Sequence, residues 1–189
     1  MNKTATSKDE IMKACLKIAA SDGLRSLNMR SVSDGCHVAL GTLYNYFGSK
    51  DELLIETIGC VWNDIFSDGD KKSPVPDSFP GYIDHLFDCI MRGASKYPNF
   101  FSSHSVSIAL SDRDKAKSVM EQYFSHIRGG MADALHHDRA VRKDAFTRTF
   151  TESDFLGLIL DNILFMMMQQ RDDHDALIKV IRRTIYQDN

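Results

Sequence analysis

Apolar residues recur three and four positions apart along nearly the whole chain, which predicts a succession of helices separated by short polar breaks. The first spans about residues 8–21, with Ile11, Cys15, Ile18 and Ala19 as its apolar stripe. Ser7 and Glu10 have the spacing of a capping box at its start, and Asp22-Gly23 stops it. Leu24 and Leu27 lead to Asn28, a side chain suited to cap a short helix over 29–35, in which Val32 and Cys36 form the expected buried pair. A tight turn follows, then a second short helix over about 40–47, ending at Gly48. Two short helices crossing at a tight turn make a helix-turn-helix, whose second helix fits the major groove of DNA. The expected core of this three-helix unit is Ile11, Ile18, Leu27, Val32, Leu43 and Phe47.

The second helix of the motif carries residues unusual for a core element. Leu43 and Phe47 are four apart and share the face expected to be buried. Thr42, Tyr44, Asn45 and Tyr46 crowd the same two turns, so some of them point outward. The tyrosine hydroxyls suit phosphate oxygens, with the rings packed on the scaffold. Ser49 and Glu52 have capping-box spacing at the start of the next helix, placing Lys50 in a first turn with free N–H groups that favours an anion.

Downstream the pattern describes a helical body. A helix over 50–66 has a wide apolar face of Leu53, Leu54, Thr57, Ile58, Val61, Trp62 and Ile65; residues 67–78, with Gly69, Pro74 and Pro76, read as a loop. A helix beginning near Phe79 or Tyr82 runs to about Lys96 and ends before Pro98. A shorter one covers 100–110, and a long one covers 113–136, where Gly129-Gly130 is a point of bending. Residues 137–150 are polar and basic and fit no element. The helix over 152–170 is apolar on nearly every side, which predicts burial on two sides, and a last helix covers 176–186.

A hydrophobic fraction of 43% supports a real core, and a net charge of −3 argues against indiscriminate coating of nucleic acid. The charge is uneven. Up to residue 50, Lys3, Lys8, Lys13, Lys17, Arg25, Arg30 and Lys50 face Asp9, Glu10, Asp22 and Asp34, a modest excess that suits a small sequence-reading module. The scattered Cys15, Cys36, Cys60 and Cys89 contain no C-x-x-C and suit a reducing cytoplasm. The polar N-terminus has no signal-peptide pattern, and no apolar run is long enough to span a bilayer, so the expectation is a soluble cytoplasmic protein without membrane contact.

The stretch Gly41-Thr42-Leu43-Tyr44-Asn45-Tyr46-Phe47-Gly48-Ser49-Lys50-Asp51-Glu52-Leu53-Leu54 resembles the signature of the tetracycline-repressor (TetR) family of bacterial transcription regulators, with the specific match covering about residues 7–58. The resemblance implies an all-α homodimer: a helix-turn-helix domain over 1–49 and a helical ligand-binding and dimerisation domain over 50–189, paired through the two C-terminal helices. It implies that Thr42, Tyr46 and Lys50 meet phosphates, that Tyr44 faces the groove and that Arg30 reaches a base edge, for which arginine is also the chemical choice at guanine. Leu40, Gly41 and Asn45 complete the expected DNA-facing set. Three positions depart from the family pattern: His37 where glycine is common, Ala39 where a capping hydroxyl is common, and Leu40 where a polar side chain is common. Leucine offers no hydrogen bond to a base but can contact a thymine methyl.

Each feature has a plainer reading: an ordinary helical hairpin, a surface Arg30, a core Tyr44. Phe87, Met91, Phe101, His104, Met120, Tyr123, Phe124, Met131 and Met167 are singly core residues, but together, with the resemblance, they suggest a pocket for an adaptable apolar effector. His136-His137-Asp138 and Asp172-Asp173-His174-Asp175 lack metal-ligand spacing and read as solvated surface. No nucleophile elbow, P-loop, zincin or dinucleotide motif is present, so no metal, cofactor or enzymatic activity is expected. The expectation is a ligand-responsive repressor on a palindromic operator. The alternative is a dimeric ligand-binding or adaptor protein that does not bind DNA, supported only by the three departures.

Overall fold

The computed structural model describes residues 6–67, 76–98, 100–101 and 113–186. Among them every regular element is helical: α1 (Lys8–Asp22), a single 3-10 turn (Leu24–Ser26), α2 (Met29–Gly35), α3 (Leu40–Tyr44), α4 (Lys50–Ser67), α5 (Phe79–Lys96), α6 (Arg113–His137), α7 (Glu152–Met168) and α8 (Asp175–Ile185). The expected helix over 100–110 lies almost entirely outside the described residues. The chain forms two compact units, one of Met1–Ile65 and Gly93–Glu121, the other of Phe66–Arg92 and Gln122–Asn189. Their boundaries fall inside α4, α5 and α6.

In the first unit α1 opens with the expected reciprocal box: Ser7 Oγ accepts the Glu10 N–H, and the Glu10 carboxylate accepts the Ser7 N–H. Its stripe meets Leu27, Val32, Leu43 and Phe47 in a core where Ile11, Val32, Leu43 and Phe47 are fully buried. Two expected core residues differ. Ile18 is only half-buried, beside Gly35, and Met12, outside the expected stripe, is buried, while Cys15 and Ala19 are buried as expected. On α2 Val32 is buried together with Met29 and with Ser33, whose hydroxyl donates to the Arg30 carbonyl, while Cys36 stays half-buried. Desolvation in this core pushes the Cys15 thiol up to about 12, so it behaves as a small apolar side chain.

All seven residues expected on the apolar face of α4 are buried, including Thr57, whose hydroxyl donates to the Leu53 carbonyl. Trp62 packs edge-on against Phe100, with ring centroids 5.5 Å apart, and also meets Phe101. Nearby, Asp64 accepts from the Tyr97 hydroxyl and pairs with Lys96, each at 2.6 Å. Gly93 of α5 meets α4 closely: a Cβ there would lie 2.5 Å from Ile65 Cγ1.

The second unit is built around α7, whose buried face comprises Phe155, Leu156, Ile159, Leu160, Ile163, Met166 and Met167. Thr151 and Asp154 form a reciprocal capping box at its start. The helix ends at Met168 rather than running to 170, where Gln170 takes a positive φ of 53°. The segment over 138–150, which matches no pattern, is held by two devices. Phe146 and Phe150 pack on Phe155 of α7, which also contacts Phe79. Asp138 is buried, not solvated: its carboxylate accepts the N–H groups of Phe79 (2.8 Å) and Ala140 (2.9 Å) and the hydroxyl of Tyr186. Burial, then the bond to Asp138, raise the Tyr186 phenol above its ordinary range.

His174 also departs from the expected solvated surface. Its ring stacks on buried Phe87 with centroids 4.1 Å apart, and Nε2 lies 2.9 Å from Asp84. Helix α6 continues through Gly129 and Gly130. A Cβ at Gly130 would meet the tip of the Tyr82 side chain, which would have to shift to admit it.

Candidate nucleic-acid interface

The turn between α2 and α3 is assembled from local bonds. Asn28 Oδ1 accepts the N–H groups of Arg30 and Ser31, both at 3.0 Å, and Ser31 Oγ returns an acceptor to the Asn28 N–H. This fixes the start of α2 and leaves Arg30 exposed on its first turn. At the other end the Cys36 N–H closes on the Val32 carbonyl (2.9 Å), and His37 takes φ 55°. The chain thus adopts at His37 the left-handed conformation for which glycine is the commoner choice. The Val38 N–H then returns to the Ser33 carbonyl at 3.0 Å and seals the turn.

Helix α3 begins after Ala39, which makes no side-chain cap, as its methyl group dictates. The helix ends at Tyr44 rather than Phe47 because its last bonds tighten: the N–H groups of Tyr46 and Phe47 converge on one carbonyl, that of Leu43, each at 2.9 Å. Leu43 and Phe47 nonetheless occupy the expected inner face, both fully buried. The outer face carries Leu40, Gly41, Tyr44 and Asn45, all exposed, while Thr42 is half-buried. More than half of the Tyr44 surface is open, at 53%.

Tyr46 is committed differently from Tyr44. Its hydroxyl donates to the Thr6 carbonyl at 2.7 Å, tying the start of the chain to the end of the recognition helix. A phosphate can accept from this hydroxyl only by replacing the Thr6 carbonyl. At the head of α4, Ser49 Oγ accepts the Glu52 N–H (3.1 Å) as expected, but the Glu52 carboxylate takes the N–H of Gly48, not of Ser49 (2.8 Å). Lys50 stands exposed in that first turn. Lys8 is occupied, paired with Glu56 at 2.7 Å and lying over the Phe47 ring. Arg30 and Lys50 are therefore exposed cations flanking α3, and neither Asp nor Glu stands on α3 itself.

A half-buried helix of five residues, reached through a left-handed turn and flanked by exposed cations, is the geometry of a DNA-reading helix-turn-helix. Residues 7–57 match the bacterial regulatory proteins of the tetR family. The N-terminal helix-turn-helix segment is thus similar to that family's. Over 66 residues it is 36% identical to the HTH-type transcriptional repressor KstR of Mycobacterium tuberculosis, covering 35% of this chain and 30% of that protein. Over 73 residues it is 36% identical to KstR of Rhodococcus jostii, covering 39% and 34%. The chain thus spans about a third of the length of these relatives. Beyond the motif the likeness is one of fold: a transcriptional regulator from Rhodococcus superposes with a TM-score of 0.71 at 15% identity, over 97% of this chain and 100% of that one.

The residues expected to line an effector pocket are distributed over both units. Phe87, Met131 and Met167 are buried in the second unit, where Tyr123 and Phe124 are half-buried; Phe101 is buried beside Trp62 in the first unit, where Met120 is half-buried. Met91 is exposed, because the buried stripe of α5 passes through Phe87 and Ile90. His104 lies outside the described residues. Sequence reasoning missed His174, whose stacking on Phe87 has no local signature. Among the described residues no group of three or more His, Cys, Asp or Glu is placed to hold a metal, and no helix is long and apolar enough to cross a membrane.

Proposed function

We propose that this chain is a cytoplasmic TetR-family transcriptional repressor that binds a palindromic operator as a homodimer and is released by a small effector. The observation that carries the reading is the exposed face around α3, with Arg30, Tyr44, Asn45 and Lys50 open to a partner while Leu43 and Phe47 lock the helix to its scaffold. Arg30 reads a base edge; Thr42, Lys50 and Tyr46, whose hydroxyl turns from the Thr6 carbonyl to donate, meet phosphates; Gly41 lets the backbone approach. The positive φ of His37 supports this reading, since it removes one of the three departures that favoured an adaptor.

Homodimerisation runs through α7 and α8. Leu158, Phe165 and Met168 of α7 and Val180 of α8 are all more than half exposed, an uncommon load of large apolar side chains for helices facing water. Two copies of this pair make a four-helix bundle with the isologous contact of a two-fold dimer. The paired motifs then address half-sites about one helical turn apart or slightly more, roughly 34–36 Å. The effector is an apolar molecule held among Phe87, Tyr123, Phe124, Met131 and Met167. It acts by favouring a spacing of the two motifs that the operator does not match, because only differential affinity shifts such an equilibrium.

Selection of bound duplexes from a genomic fragment pool, with affinity followed against salt, tests the proposal. A recovered palindrome whose log affinity falls steeply with log salt supports it. Folded dimer that enriches no sequence overturns it.

A further inference from the structure

Three features of the α3 surface combine. Leu40, the first residue of the helix, is 38% exposed, and Tyr44, one turn further along the same face, is 53% exposed. Between them Gly41 has helical backbone, and a Cβ there would meet nothing within 4 Å, so nothing within the chain requires its missing side chain. Ahead of the helix, Ala39 is also exposed and adds no polar group. The leading turn of α3 therefore presents the apolar side chains of Ala39 and Leu40 beside open space at Gly41, flanked by exposed cations, with the half-buried Thr42 hydroxyl, the Tyr44 hydroxyl and the Asn45 amide as the polar side-chain groups around it.

From this surface we infer that the protein reads thymine 5-methyl groups in the major groove, with Leu40 as the specificity-determining residue and the Tyr44 ring as the second wall of the methyl site. The inference rests on the DNA-binding reading above. The methyl group is the one apolar feature of a base-pair edge in the major groove, and an aliphatic side chain can discriminate bases there only through it. Leu40 makes no hydrogen bond to any base, so it rewards thymine over cytosine, adenine or guanine by burial alone. The open space at Gly41 lets the helix backbone come close enough for the short Leu40 side chain to reach the base.

The test uses duplexes recovered by selection from a random thymine-containing pool and resynthesised with deoxyuridine at one symmetric thymine position at a time. Removing a methyl in contact with Leu40 should weaken binding by about fourfold per half-site, the ratio expected for one buried methyl. Leu40→Ala should bind the thymine duplex more weakly and lose the distinction between thymine and uracil at that position, while retaining its salt dependence. Leu40→Gln should shift preference there toward adenine, which a glutamine can pair through N6 and N7. Wild-type protein that binds its selected sequence equally well with uracil at every position would overturn the methyl reading and leave the repressor reading intact. Failure to enrich any sequence overturns both.

Discussion

The α2–α3 region and the α7–α8 region both expose apolar side chains, but they hold their shape in opposite ways. Around α3 almost every bond is local: Asn28 caps α2, His37 makes the turn, and the Leu43 carbonyl gathers the N–H groups of Tyr46 and Phe47. Around α7 and α8 the ties reach far along the chain. Asp138 joins Phe79 to Tyr186, and the Arg142 N–H donates to the Ile185 carbonyl at 2.8 Å. A reading surface needs a few side chains set at fixed angles, which caps and turns supply. A pairing surface needs a broad platform, which only long-range packing supplies.

The comparison predicts where damage is greatest. Asp138→Ala should be the most destabilising change, costing about 3 kcal/mol, because it strands the buried Phe79 N–H and the Tyr186 hydroxyl at once; chemical denaturation measures it. A loss under 1 kcal/mol would mean that the long-range ties are not what holds the second unit. Phe165→Glu should leave the fold of each chain intact but weaken pairing by about 2 kcal/mol or more, seen as monomer in sedimentation at concentrations where the parent is dimeric. Persistence of the dimer would move the pairing face elsewhere.

The local region should respond more mildly. Asn28→Ala removes the one oxygen that accepts both the Arg30 and Ser31 N–H groups and should cost about 1 kcal/mol, with operator affinity falling because Arg30 loses its fixed position. Lys50→Ala should leave stability nearly unchanged, weaken binding to all sequences alike and lower the salt slope by about one. A base-dependent loss would instead make Lys50 a reader rather than a phosphate contact.

The same contrast explains what was legible in the sequence. The Ser7–Glu10 box, the Asn28 cap and the buried pair Leu43 and Phe47 follow from residues three or four apart, so spacing alone identifies them. The end of α3 was misplaced because the convergence of two N–H groups on the Leu43 carbonyl leaves no mark on composition. Asp138 and His174 look like solvated loop residues because their partners, Phe79 and Tyr186 for one, Phe87 and Asp84 for the other, lie 48 to 90 positions away. The excess apolar surface of α7 was visible as composition, but only burial separates Ile159 and Ile163, which face inward, from Leu158 and Phe165, which face water.

The contact of Gly93 with Ile65 constrains how this sequence can change over time. With 2.5 Å between a hypothetical Cβ and Ile65 Cγ1, alanine at 93 forces the isoleucine at 65 or the helices themselves to shift. A lineage that replaces Gly93 relieves that shift by shortening the side chain at 65, so the two positions should vary together among descendants. Two substitutions that look independent in the sequence are thereby coupled by the space between α4 and α5.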